Sequence, residues 1–98
     1  MYARVTFSQV SPDKADEAIS IMENEVLPLM RGQKGFKNYI AFYDRFTGKS
    51  FTATVWETEA DREASGQMSD YYREAIAKIA PLFLTAPVVE NYEADIYS

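Results

Sequence analysis

The sequence predicts an α+β domain of the ferredoxin-like kind, with element order βαββαβ. Three observations predict it. Residues 2–10 alternate between two faces, as a strand does. Two stretches, 12–31 and about 59–79, carry apolar residues at helical spacing, and each follows a strand-like run. Between them, Phe36–Asp44 and Ser50–Trp56 are rich in aromatic and β-branched residues and flank a turn, which reads as a hairpin. Two crossover helices then imply a four-stranded antiparallel sheet with both helices on one face.

Each element has a local reason. In the first strand Ala3, Val5 and Phe7 share one face, and Tyr2, Arg4, Thr6, Ser8 and Val10 share the other. Ser11-Pro12-Asp13 reads as an N-cap, a proline at the first helical position and an acid in the first turn. Ala15, Ala18, Ile19, Met22, Val26 and Leu29 form the stripe of the first helix. Pro28 removes a backbone donor inside it and predicts a kink or fraying near its end, and Gly32 is its stop. In the hairpin, Gly48 is free to take positive φ in the turn 44–49. Alternation places Phe36, Ile40 and Phe42 on one side and Tyr39, Ala41 and Tyr43 on the other. Thr58 or a neighbour caps the second helix, whose stripe is Ala64, Met68, Tyr72, Ala75, Ile76 and Ile79, weakened in the middle by Gly66. Pro81 and Pro87 bracket a connector, and residues 88–97 alternate as the last strand.

Composition limits what the chain can do. Ninety-eight residues make one domain, 1–98. A formal charge of −5 disfavours binding a nucleic-acid backbone. The absence of cysteine excludes disulfides, thiolate nucleophiles and iron–sulfur clusters. The absence of histidine removes the commonest general base and the commonest ligand for zinc or haem. The scattered acids have no metal-site spacing, and there is no glycine-rich phosphate loop, so neither metal nor nucleotide is expected. No apolar run reaches the ~20 residues of a membrane span, and Met1–Val5 lacks the build of a signal peptide. The expectation is a cytoplasmic protein that does not enter membranes. Both faces of the hairpin and of strand one carry apolar groups, so a second copy is expected to cover the sheet face away from the helices.

Several runs carry a family likeness. They are Ser11-Pro12-Asp13-Lys14 after strand one, Gly35-Phe36 opening strand two, Val55-Trp56-Glu57-Thr58-Glu59-Ala60, and Ser69-Asp70-Tyr71-Tyr72. With the element order, they make nearly the whole chain resemble the antibiotic biosynthesis monooxygenase family of the dimeric α/β-barrel superfamily. The resemblance implies two copies pairing into a dimeric α/β barrel. It also implies an activity drawn from cofactor-independent oxygenation of quinols or polycyclic phenols, or haem degradation, or none. The haem-degrading pattern has a strand-one asparagine and a second-helix tryptophan and histidine. Here Thr6 and Ser8, Ser65 and Gly66, and Ile76 stand near those positions, so haem degradation is disfavoured.

Beside that resemblance, the residues offer a candidate binding set: Arg4, Thr6, Ser8, Asn38, Trp56 and Tyr72. Arg4, Thr6 and Ser8 form a polar stripe that either lines a cavity or lies at an exposed edge with Arg4 paired to an acid. In the first case Arg4 holds a phenolate or carboxylate. Trp56 is either a flat wall for an aromatic ligand or a core plug where strand meets helix. Asn38, Tyr39, Tyr43, Tyr71 and Tyr72 either orient a substrate oxygen or fill the core; Tyr72 lies on the apolar stripe and is expected to be buried, and Tyr71 to be peripheral. Two readings follow. One is a cofactor-independent monooxygenase of a small electron-rich aromatic, in which the deprotonated phenol itself reduces oxygen. The other is a non-catalytic ligand-binding or structural dimer.

Overall fold

The computed structural model describes residues 1–98. The strands are β1 (Tyr2–Gln9), β2 (Phe36–Tyr43), β3 (Lys49–Trp56) and β4 (Val88–Glu93), all antiparallel in the order β2-β3-β1-β4. This is the ferredoxin-like order expected for two interlocked strand–helix–strand units. The helices are α1 (Ala15–Ile21), α2 (Leu27–Arg31), α3 (Glu59–Ala64) and α4 (Asp70–Ile79). No helix is long and apolar enough to cross a membrane.

The first helical stretch runs as predicted from Pro12 to Arg31 but is not uniform. A 3₁₀ turn (Pro12–Lys14) opens it, and a π-helical turn (Met22–Val26) joins α1 to α2. Leu27 N–H donates to Met22 O, five residues back. Pro28 explains this. Its ring would crowd the carbonyl four residues earlier, and a widened turn relieves the crowding while the helix continues. The Ser11 hydroxyl, expected to cap the helix, donates instead to the Asp13 carboxylate at 2.5 Å. Gly32 follows the last helical residue, but with φ −80 it is not the left-handed residue; Gly35 is, at φ +80. A side chain at Gly35 would run into the Asp61 carboxylate.

The second helical stretch is two helices rather than one. Thr58 Oγ1 caps α3 by accepting from Asp61 N at 3.0 Å, as the sequence suggests. Ser65 Oγ then donates back to Arg62 O at 2.8 Å, and Ser69 Oγ accepts from Tyr72 N to start α4. Serines at both ends of the gap, with Gly66 between, offer the backbone partners that a continued helix would otherwise supply. Met68 therefore lies in the break, 82% exposed, and not on an apolar stripe.

A β-bulge at the start of β2 changes which residues face inward. Phe36 pairs with Trp56 and Asn38 with Val55, so Lys37 is the extra residue. Phe36 thus joins Tyr39, Ala41 and Tyr43 on the helix side and packs on the core of Val26, Met30 and Ala75. Asn38, Ile40 and Phe42 face away. The outer face also carries Phe7, Phe51, Val88 and Tyr92, each 40–56% exposed. Phe51 stacks on Phe42 with ring centroids 4.5 Å apart and tilts against Phe7 at 5.7 Å.

Candidate functional site

The inner face of the sheet is built from a cross-strand row. Arg4, Thr6 and Ser8 of β1 stand opposite Thr54, Thr52 and Ser50 of β3. Period-two alternation puts all six on the helix side, so the polar stripe faces inward and not to an exposed edge. Met22, Val26, Ala75, Ile76 and Ile79 roof it. Between floor and roof lies a cavity of about 110 Å³. Arg4, Tyr71 and Tyr72 line one end of it, and Tyr43, Lys49 and Phe83 the other.

Arg4 is the unusual member. It is 6% exposed, and none of the chain's ion pairs includes it. Its Nη2 donates to Arg62 O at 2.5 Å and to Ser65 Oγ at 3.2 Å. The hydrogens on Nε and Nη1 have no protein acceptor. The guanidinium carbon lies 5.9 Å from the Trp56 ring centre and 5.7 Å from that of Tyr72. Burial pushes its pKa down, and the neighbouring Tyr71 and Tyr72 hydroxyls partly offset that. A guanidinium nonetheless stays protonated at neutral pH. Its place depends on the break between α3 and α4, where Arg62 O and Ser65 Oγ accept its hydrogen bonds.

Sequence reasoning missed Arg62. It is 8% exposed, donates from Nη1 to Tyr92 O at 3.1 Å, pairs with Glu63 at 3.1 Å and covers the Tyr2 ring at 5.6 Å. Its Nε is buried without a partner. The available signal was that 62 and 65 share a helical face with the cap at 58. Two guanidinium groups thus stand close enough for Arg62 to depress Arg4 further, with one carboxylate between them, that of Glu63. The charged groups nearest this end of the cavity, Arg4, Arg62 and Glu63, therefore sum to a net positive charge.

Of the expected set, Arg4, Thr6, Ser8 and Tyr72 are brought together on the cavity, while Asn38 and Trp56 are not. Asn38 pairs with Val55 and shares the outer face with Ile40 and Phe42 by simple alternation, away from the cavity. Trp56 is fully buried behind the cavity wall, edge-on to Phe36 and Tyr71, with Nε1 donating to Thr54 Oγ1 at 2.9 Å. It is a core plug that supports Arg4. Tyr71 is no more peripheral than Tyr72: both are half-buried and both line the cavity, and Tyr71 packs on the core. No three acidic side chains converge to hold a metal.

Burial raises the Tyr71 phenol to about 12, and raises Tyr39 further, whose buried hydroxyl makes no hydrogen bond of good geometry although Tyr43 is close enough to perturb it. Both stay neutral at physiological pH; Tyr71, which lines the cavity, can therefore donate to a ligand oxygen but is a poor base, whereas Tyr39 does not line it. Because the folded-state values lie above the unfolded one, the stability they contribute is present below about pH 10. It falls as pH rises from there through about 12. An ultraviolet titration should show Tyr39 and Tyr71 ionising only as the chain unfolds. All seven tyrosines ionising together in the folded state would contradict this.

No family model matches the chain. Two curated Mycobacterium tuberculosis proteins, uncharacterized proteins Rv2557 and MT2634, are each 28% identical over 93 residues. The alignment covers 95% of this chain, which spans 40% of the length of those relatives. A solved antibiotic biosynthesis monooxygenase superposes with TM-score 0.74 at 14% identity, covering 98% of this chain and 100% of its own. A proposed antibiotic biosynthesis monooxygenase from Caulobacter crescentus CB15 gives 0.75 at 21%, covering 97% and 90%. Rv0793 of M. tuberculosis gives 0.73 at 13%, covering 99% and 97%. At these identities the likeness is one of fold: the chain has the fold of the antibiotic biosynthesis monooxygenases.

Proposed function

We propose that the cavity binds a small electron-rich phenol as its anion, and that the bound phenolate is oxygenated by dioxygen without a cofactor. The observation that carries this reading is Arg4: a buried guanidinium on the cavity with no carboxylate partner. A buried charge without a counter-ion is costly, and a ligand anion offsets that cost. Burial also strengthens the attraction relative to water. A phenolate held there has its pKa lowered by the cation, so the protein needs no histidine to keep it deprotonated. Tyr71 and Tyr72, which line the same end of the cavity, would donate to the same oxygen. An engineered apolar cavity of about 150 Å³ takes benzene, so a space of about 110 Å³ favours one ring over the fused rings of a polycyclic phenol.

The chemistry balances without an external reductant. A phenol with a free para C–H gives four electrons to dioxygen and becomes the para-quinone. One oxygen atom enters the ring carbon as a carbonyl, and the other leaves as water with the phenolic and para hydrogens. The protein binds and orients the phenolate, stabilises its charge and excludes bulk water. Turnover of an electron-rich phenol under isotopically labelled dioxygen should give a quinone carrying one labelled oxygen. Binding without label or oxygen uptake would favour the second reading, a non-catalytic ligand-binding dimer. The lack of histidine and cysteine speaks for that reading, because it leaves no conventional proton-transfer or redox side chain.

We also infer that two copies pair through the outer face of the sheet. The aromatic and aliphatic cluster there is continuous, and a two-fold axis lets the same patch meet itself.

A further inference from the structure

The row of hydroxyls beyond Arg4 is not uniformly available. Thr54 Oγ1 accepts from the Trp56 indole at 2.9 Å, and Ser8 and Ser50 hydrogen-bond each other at 3.0 Å. Between those two occupied positions lies the cross-strand pair Thr6–Thr52. Both residues line the cavity, and neither hydroxyl takes part in a side-chain hydrogen bond. They are one same-face step along the strands from Arg4 and Thr54, roughly 6.6 Å at about 3.3 Å per residue. That step, measured between backbone positions, is on the scale of a single aromatic ring rather than of a fused pair.

We propose that Thr6 and Thr52 form a second polar subsite, which recognises an oxygen para to the anionic group held by Arg4. The inference rests on the reading of Arg4 as an anion holder and adds the ligand's shape: a single ring with oxygen at both ends. Two hydroxyls side by side can each donate or accept, so the subsite takes either a phenolic O–H or a quinone carbonyl. It would therefore hold the oxygen that enters the ring, and would favour oxygenation at the para over the ortho carbon. The apolar roof gives the ring faces nothing to bond, so the polar edge is read from the floor alone.

Calorimetric titration of wild type with benzoate, para-hydroxybenzoate and meta-hydroxybenzoate tests it. The carboxylate stands in for the anionic oxygen. Para-hydroxybenzoate should bind about fivefold to tenfold more tightly than benzoate, the worth of one net hydrogen bond. The meta isomer should bind about as benzoate does. The Thr6→Val/Thr52→Val double variant removes both hydroxyls at nearly constant shape. It should keep benzoate affinity, which shows the Arg4 end intact, and should bind the para isomer no better than benzoate. Thr52→Val alone should lie between. Equal binding of benzoate and the para isomer to wild type, or a para preference that survives in the double variant, overturns this inference and leaves the Arg4 reading standing. Failure of all three acids to bind wild type overturns both.

Discussion

Replacing Trp56 by alanine should lower folding stability by about 3–5 kcal/mol, the range for truncating a large buried aromatic. Trp56 is the one large side chain with no exposure at all. Its removal leaves a cavity bounded by Phe36, whose ring centroid is 5.8 Å away, and Tyr71, at 6.4 Å. Those neighbours sit on β2 and α4, elements fixed by separate parts of the chain, so the space cannot close by one local shift. Thr54 Oγ1 also loses its donor, and the Arg4 guanidinium loses an aromatic face 5.9 Å away. Against a typical net stability of roughly 5–15 kcal/mol, such a loss is a large share. Urea denaturation of wild type and variant reads it directly. A loss under about 1 kcal/mol, within reach of an ordinary surface change, would mean that Trp56 is not the plug described.

Phe51→Glu should convert a dimer to a monomer without disturbing the cavity. Phe51 is central to the outer cluster, stacked on Phe42 and leaning on Phe7. Across a two-fold axis its replacement would bring two carboxylates into one apolar patch, each desolvated and neither paired. Its side chain points away from Arg4, because successive strand residues face opposite ways and it pairs with Phe7. Sedimentation at micromolar concentration should therefore give twice 11.2 kDa for wild type and 11.2 kDa for the variant, with benzoate binding retained. Wild type sedimenting as an 11.2 kDa species would refute the pairing.

The fold was legible because its signals are local. Alternation in 2–10, the hairpin with Gly48 at φ +76, and the cap at Thr58 each follow from neighbouring residues. What was not legible depends on a single-residue irregularity or on distance. Counting alternate residues from Phe36 gave the wrong face because one bulged residue, Lys37, reverses the parity of everything before it. Pro28 signalled a disturbance in the first helix, but whether it frays or widens is set by the core that Val26 and Met30 enter on either side of it. The same holds at the site. The Arg4–Thr6–Ser8 stripe was visible from its period, but the choice between cavity and edge needed the roof above it. Arg62 and Ser65, which fix Arg4, are about 60 residues away in sequence. No periodicity connects them to strand one. Tyr71 and Tyr72 were ranked by a helical stripe that assumed one unbroken helix; the break at Ser65–Ser69 restarts the count.

Arg4→Met is the measurement that bears most directly on the central claim, that an unpaired buried cation waits there for an anion. Methionine keeps most of the packing volume and removes the charge. If Arg4 is held at a cost in the empty protein, the variant should be as stable as wild type or more so, because a buried charge without a counter-ion is gone. Arg62 O keeps the Ser65 hydroxyl as a partner, so little is left unsatisfied. Benzoate affinity should fall by about 1.5–3 kcal/mol, the worth of hydrogen bonds to a charged group. A thermal melt beside a benzoate titration separates the two effects. The account predicts stability kept and affinity lost. Stability lost with benzoate affinity unchanged would contradict it, and would make Arg4 a structural brace between β1 and the α3–α4 break.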